Sequence, residues 1–265
     1  MSFLNLENKT FLITGVANKK SVAYFSAKTL EENGANLIFT VQNEEIKEKV
    51  AKLFPDKKIY ILNVEDIKEV GAFGNNLELE KISLNGFLHS IAFANYSEGI
   101  KPFHETKLED YLQASNISCF SLVSLSNALK NVLVDDASVV TISISSTKAT
   151  NYGYMGPIKA SLDAAVLFLA KSFSSLNKVR FNAVCAGPLK TSASAGIPGY
   201  IDNYLYAEQL TMRHKALETQ EVANSVVFLL SPASSGINAS GVVVDAGMSS
   251  NYFDESVVAA YAKRD

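Results

Sequence analysis

The sequence is short of the residues that cross-link a chain or hold a metal. Two cysteines, Cys119 and Cys185, cannot build a disulfide framework across 265 residues. With only three histidines beside them, a Cys/His zinc site is excluded and no metal is expected. Charge is scarce as well. Asp, Glu, Lys and Arg make up 19%, and 24 basic against 27 acidic residues leave a net charge of −3. That balance excludes a strongly basic nucleic-acid binder. The one long uncharged stretch, Val222 to Val244, is broken by Pro232, Gly236 and Gly241, so it reads as helix, loop and strand rather than a membrane span. Asn5, Glu7 and Lys9 interrupt the N-terminus before a signal-peptide core could form. A soluble, cytoplasmic protein is expected. What remains is apolar: 48% hydrophobic residues exclude a disordered chain. Internal repeats, low-complexity segments and linkers are missing too, so residues 1–265 read as one domain.

That apolar content is arranged in alternation. Short β-rich runs fall at Thr10–Gly15, Asn36–Val41, Lys58–Val64, Gly86–Ala92, Ala137–Ile144, Val179–Ala186 and Gly241–Asp245. Helical patterns lie between them at Ser21–Asn33, Glu44–Leu53, Glu65–Leu79, Leu108–Leu133 (one helix or two abutting), Gly156–Ser175 and Gln220–Leu230. Strands that are nearly continuous Val/Ile/Leu are buried on both faces. Strand–helix alternation at this spacing makes right-handed βαβ units. The expected fold is α/β: a Rossmann-type, doubly wound parallel sheet of about seven strands with helices on both faces. Ligands of such sheets sit beyond the carboxyl ends of the strands.

Three of those ends carry chemistry. Gly15 to Ser21 joins the first strand to the first helix. Gly15 suits a tight turn, and the helix N-terminus near Ser21 offers free N–H groups to a pyrophosphate. The loop lacks the GxGxxG pattern, since Ala17 and Lys20 replace two glycines. A plain βα turn has the same composition. Gln42 ends the second strand, where an acidic residue often holds a ribose hydroxyl. With Glu44 and Glu45 following and no Arg, NADH is favoured over NADPH; a helix cap is the alternative reading. After the fifth strand come Tyr152 and Lys159, seven residues apart and so about two helical turns. A cation beside a phenol lowers its pKa from about 10 and makes it a better acid.

With these motifs in this order, nearly the whole chain resembles the short-chain dehydrogenase/reductase family, and more narrowly the bacterial NADH-dependent enoyl-acyl-carrier-protein reductases. The resemblance rests on GVANKKSVAY (15–24), FTVQNEE (39–45), HSIAFA (89–94), NYGYMGPIKAS (151–161), NAVCAGPLKTSASAGI (182–197) and VDAG (244–247). It implies that Gly15, Ser21 and Val22 face the cofactor phosphates and that Gln42 lies near the adenosine ribose. It sets Asn63 and Val64 at the adenine, and Ser90, Ile91 and Ala92 beside the nicotinamide. Leu189, Thr191, Ser192 and Ala193 would contact the nicotinamide and pyrophosphate, and Lys159 the nicotinamide ribose. Tyr152 would hydrogen-bond a thioester carbonyl, supported by the field of Lys159. Ala94 and Met155 would lie near substrate, and a lid over 191–210 would add Ile197 and Tyr200 as apolar contacts. The implied reaction is reduction of trans-2-enoyl thioesters by NADH in fatty-acid synthesis. The implied partners are an acyl carrier protein and three further copies of the chain in a homotetramer. Because acyl carrier proteins are acidic, Lys190, Arg213, His214 and Lys215 are candidates for a basic rim.

Two departures bear on this. The family carries a second tyrosine just after the fifth strand, and Ile144 stands there; the loop to Tyr152 is about two residues short. Ordinary family dehydrogenases place a Ser where this chain has Val139, leaving Ser143, Ser145 and Ser146 as nearby hydroxyls. Pro157 is harmless only in a first helical turn, which puts the helix start near Met155–Pro157 and Tyr152 just outside it. Two other functions share much of this pattern: a short-chain reductase of ketones or alcohols, and a dinucleotide-binding protein without turnover.

Overall fold

The computed structural model describes residues 2–191, 194 and 197–262. Seven strands form one sheet in the order β3-β2-β1-β4-β5-β6-β7, and every neighbouring pair is parallel. The strands are β1 Thr10–Thr14, β2 Asn36–Val41, β3 Lys58–Ile61, β4 Leu84–His89, β5 Leu133–Ile144, β6 Arg180–Ala186 and β7 Ser240–Val244. The helices are α1 Val22–Glu32, α2 Glu44–Leu53, α3 Ile67–Leu79, α4 Leu108–Ser115, α5 Ser121–Leu129, α6 Met155–Phe173, α7 Tyr200–Leu210, α8 Thr219–Leu230 and α9 Glu255–Ala262.

Alternation along each strand builds two cores. Phe11, Ile13, Leu88 and Val140 face one layer, with Ala23, Leu30, Val222 and Val226 from α1 and α8. Leu12, Phe87 and Val139 face the other, with Phe73, Leu125, Leu162 and Val166 from α3, α5 and α6. Both strand faces are thus apolar, which is why the runs read as continuous rather than alternating. Side-chain caps fix the first three helix starts. Ser21 accepts from Tyr24 N, Asn43 from Ile46 N, and Asp66 from Lys68 N and Glu69 N.

The structure moves several expected boundaries. The third strand stops at Ile61 instead of Val64, because Asn63 and the capping Asp66 turn the chain into α3. The expected helix Leu108–Leu133 is interrupted by a π turn at Asn116–Phe120 and ends at Leu129, and β5 already begins at Leu133. Helices α7 and α9 had no sequence signal strong enough to be expected.

β1 and β4 are neighbours in the sheet, while the chain passes from β1 through β2 and β3 on the opposite side before returning to β4. This reversal leaves a crevice at the carboxyl ends of β1 and β4, the usual ligand position in such folds.

Candidate active site

Gly15 leaves β1 at φ +82°, a left-handed conformation that favours glycine. A Cβ there would lie 1.9 Å from the Ser90 carbonyl oxygen. The loops after β1 and β4 therefore touch directly, and only a residue without a side chain permits it. Thr14 ties them further: its Oγ1 donates to Leu88 O at 2.9 Å and accepts from Ser90 N at 3.1 Å. Beyond this contact, α1 begins at Val22, which is buried, with Ser21 as its cap. The first turn of α1 carries no acidic residue, whereas α2, α3 and α4 all do. Its unpaired N–H groups and dipole therefore suit a phosphate, and the cradle fits a dinucleotide.

The other expected cofactor residues are placed as follows. Gln42 is exposed at the end of β2, and the neighbouring Asn43, not Gln42, caps α2. Asn63 and Val64 are half-buried beside them, but Asn63 Oδ1 accepts from Glu65 N at 3.1 Å. That bond spends one of the oxygen's lone pairs on the turn. Ser90 and Ile91 are half-buried and Ala92 is exposed. The segment is held from below, where Ser118 Oγ accepts from Phe93 N at 2.9 Å and donates to Phe93 O at 3.0 Å. Leu189 is buried, and both its backbone groups bond the Tyr200 hydroxyl, at 2.8 and 2.9 Å. Thr191 N donates to Ser194 Oγ at 2.9 Å. Ser192 and Ala193 lie outside the described residues, as do Ala195 and Gly196 of the expected lid. Within the rest of 191–210, Ile197 is half-buried and α7 occupies 200–210. Tyr200 differs from expectation: its hydroxyl is a polar tie to Leu189 rather than a purely apolar contact.

Tyr152 ends a short 3-10 turn, and Gly153 then redirects the chain at φ +59°, ψ −148°. The helix α6 starts at Met155, so Pro157 falls in its first turn and costs no hydrogen bond. Tyr152, Tyr96, Ala94, Met155 and Ile158 share one apolar cluster. The expected substrate residues Ala94, Tyr152 and Met155 therefore meet. Against the outer side of this cluster, Asn95, Lys107, Asp110, Gly153 and Tyr154 line a cleft of about 480 Å³, its open mouth included.

Lys159, one full turn into α6, is 4% exposed, and its Nζ donates to Ile142 O at 2.7 Å. Burial lowers its pKa to about 8, against an opposing pull from Asp163. Asp163 sits one turn further along the helix. Burial raises its pKa, and the adjacent Ser143 and then Lys159 offset part of that rise. Ser143 Oγ and Asp163 are buried against each other, without a well-aligned hydrogen bond between them. Of the three serines near the gap left by Ile144, Ser143 is thus the one turned toward Lys159's neighbour.

One expectation fails here. Lys159 was to draw the Tyr152 phenol downward, but burial pushes that phenol up to about 12, and Tyr200 adds to the rise. Lys159 does not contribute, because its ammonium points into β5. Tyr152 is a neutral hydrogen-bond donor in this state. His89 is equally uncharged: burial, then Lys159, lowers its pKa to about 3. Its ring bridges Thr141 Oγ1 and Ser121 Oγ, each at 2.8 Å. Ser121 Oγ also donates to Ile117 O at 2.6 Å, and Thr141 Oγ1 to His89 O at 3.3 Å. The Asn116 amide donates to Glu65 O at 3.2 Å.

The basic rim is also largely spent. Arg213 makes a bidentate pair with Glu221 at 2.6 Å, Lys215 pairs with Glu218 at 2.6 Å, and Lys190 lies over the Tyr204 ring. Sequence reading missed Asp163, Thr14, Ser118 and Ser121. Only Asp163 carried a signal, four residues from Lys159 and so on its helical face.

Comparison with known proteins agrees with this geometry. A family model described as enoyl-(acyl carrier protein) reductase matches residues 15–249. The enoyl-[acyl-carrier-protein] reductase [NADPH] FabI of Staphylococcus aureus (strain MRSA252) is 34% identical over 92% of this chain and 98% of its own. The enoyl-[acyl-carrier-protein] reductase [NADH] FabI of Enterococcus faecalis (strain ATCC 700802 / V583) is 33% identical, again over 92% and 98%. The crystal structure of FabI from Candidatus Liberibacter asiaticus superposes with a TM-score of 0.89 at 27% identity, covering 94% of this chain and 98% of that one.

Proposed function

The chain belongs to the enoyl-(acyl carrier protein) reductase family, and from that premise we propose that it reduces trans-2-enoyl thioesters carried by acyl carrier protein, using NADH. The single observation that carries this reading is the meeting of Tyr152, Ala94 and Met155 in one apolar cluster, with Lys159 on the helix that follows. NADH is preferred on the acidic Glu44 and Glu45 that follow Gln42, although relatives named for each cofactor exist.

When bound, NADH would supply a hydride to C3 of the enoyl thioester, becoming NAD⁺. The electron pair of the C2–C3 double bond then moves through C2 onto the carbonyl oxygen, giving an enolate. Tyr152, neutral at physiological pH, donates a hydrogen bond to that oxygen, and the bond strengthens as charge develops there. The apolar cluster around it keeps water from competing for the same oxygen. Lys159 is protonated below its pKa of about 8, and its protons beyond the Ile142 bond serve ribose hydroxyls. Protonation at C2 completes the saturated thioester. The α1 N-terminus with Ser21 and Val22 holds the pyrophosphate, and Gly15 lets the backbone approach it.

The remaining assignments belong to the same proposal. Thr191 to Leu210 closes over the acyl chain. Four copies assemble, consistent with Phe120, Leu167 and Phe168 exposed on the π turn and α6. A cytoplasmic setting follows from the resemblance and the composition. Among the described residues, no helix is long and apolar enough to cross a membrane. NADH oxidation with crotonyl and longer enoyl thioesters, against small ketones, tests the reading. Turnover of the enoyl thioesters alone is expected. Turnover of ketones alone would reassign the chain to the ketone reductases, and NADH binding without turnover would leave a binding protein.

A further inference from the structure

We propose that Tyr96 is a positioning residue for Tyr152: in the substrate-bound state its hydroxyl donates a hydrogen bond to Tyr152 Oη, making the Tyr152 proton a stronger donor to the developing enolate. This rests on the assignment of Tyr152 above. Tyr152 needs such help, because burial raises its pKa and the Lys159 ammonium is turned to the Ile142 carbonyl.

Tyr96 is the neighbour built to give it. Its hydroxyl is buried and has no hydrogen-bond partner. A buried phenol without a partner is unfavourable, so its persistence points to a partner acquired later. The ring is not loosely placed. The preceding residue, Asn95, is held by three bonds: Nδ2 donates to Asp110 at 2.8 Å, Oδ1 accepts from Ser97 N at 3.1 Å, and its carbonyl accepts from Tyr154 at 3.0 Å. The Tyr96 ring packs on Tyr154 with centroids 5.7 Å apart. Its hydroxyl lies 4.0 Å from where a Cβ on Gly153, the residue after Tyr152, would stand. Tyr152 and Tyr154 are also close enough to add to the upward push that burial gives the Tyr96 phenol. Tyr96 therefore keeps its proton, and when charge develops on Tyr152 Oη it is the phenol left with a proton to donate.

A donor on Tyr152 Oη favours its ionised form and so lowers its pKa. Tyr96→Phe removes that donor and keeps the ring. It is expected to lower kcat for crotonyl thioester about tenfold, with KM and NADH affinity within about twofold. The alkaline limb of the pH–rate profile should move to higher pH. In a Tyr152→Phe background the same change should have no further effect. With NAD⁺ and a saturated thioester bound, the [¹³Cζ]tyrosine resonance that is lost in Tyr152→Phe should shift in Tyr96→Phe.

Unchanged kcat in Tyr96→Phe, with Tyr152→Phe impaired, overturns the relay and leaves the Tyr152 assignment standing. An equal loss in both backgrounds, or an unmoved alkaline limb, also overturns it, since Tyr96 then acts independently of Tyr152. Wild-type turnover in Tyr152→Phe removes the assignment itself, and the relay with it.

Discussion

Arg180 opens β6 at the amino end of the sheet, and Lys159 reaches the carboxyl end of β5 from α6; they are 8% and 4% exposed. Arg180 has both terminal nitrogens fully engaged. Its two terminal nitrogens donate to the carbonyls of Ser234, Ile237, Leu229 and Ser231, at 2.9, 2.8, 3.2 and 3.1 Å. Lys159 makes one bond, to Ile142 O. Near it the Tyr96 hydroxyl is buried without a partner, and Ser143 Oγ meets Asp163 without a well-aligned hydrogen bond. A cation that serves the fold has its donors filled by the chain. One that serves a ligand keeps them open and carries the desolvation penalty until the ligand arrives.

The largest expected effect breaks the saturated end. Arg180→Met removes four charge-assisted hydrogen bonds, although each carbonyl keeps another donor, and is expected to destabilise the protein by about 4 kcal/mol, lowering Tm by roughly 10 °C. Differential scanning calorimetry reads this directly, and a change of only a degree or two would show that water replaces the guanidinium. Next in size, Tyr152→Phe should reduce kcat about a hundredfold, near 3 kcal/mol in the barrier, with NADH affinity hardly altered. Stopped-flow turnover together with a cofactor titration separates the two quantities. Smaller again, Gly15→Ala sets a Cβ against Ser90 O at a left-handed φ and should cost about 2 kcal/mol. Its NADH affinity should fall with it, because the β1 and β4 loops must part. A variant that melts normally and binds NADH normally would mean that the two loops separate freely.

The same contrast explains what could be read from the chain beforehand. The sheet was legible because Leu12 and Ile13, or Val139 and Val140, are apolar on both sides of the strand. Ser21 and Asn43 marked helix starts through their own side chains. The break at Asn116–Phe120 was not legible, since NISCF has ordinary helical composition and only packing turns it into a π turn. At the site, the Tyr152–Lys159 spacing and Pro157 located α6 and put Tyr152 outside it. The direction of the Lys159 amine was not readable. It depends on a backbone carbonyl seventeen positions away in sequence, which no pattern of side chains reports. For the same reason the expected field of Lys159 on Tyr152 failed.

Lys159 is held for a ligand at a cost to the fold, and the melting behaviour of Lys159→Met decides whether that is so. Burial lowers the pKa from 10.5 to about 8, so at pH 7 the ammonium costs the cofactor-free protein about 3 kcal/mol. Between pH 8 and 10.5 the folded protein binds fewer protons at this site than the unfolded chain, so wild-type stability rises with pH there relative to the variant. At pH 7, without cofactor, Lys159→Met should melt a few degrees above wild type. That advantage should shrink as pH approaches 10.5, and the stabilisation that NADH gives the wild type should be largely lost. A variant that melts well below wild type at pH 7 and is still stabilised by NADH would contradict the account, because Lys159 would then serve the fold as Arg180 does.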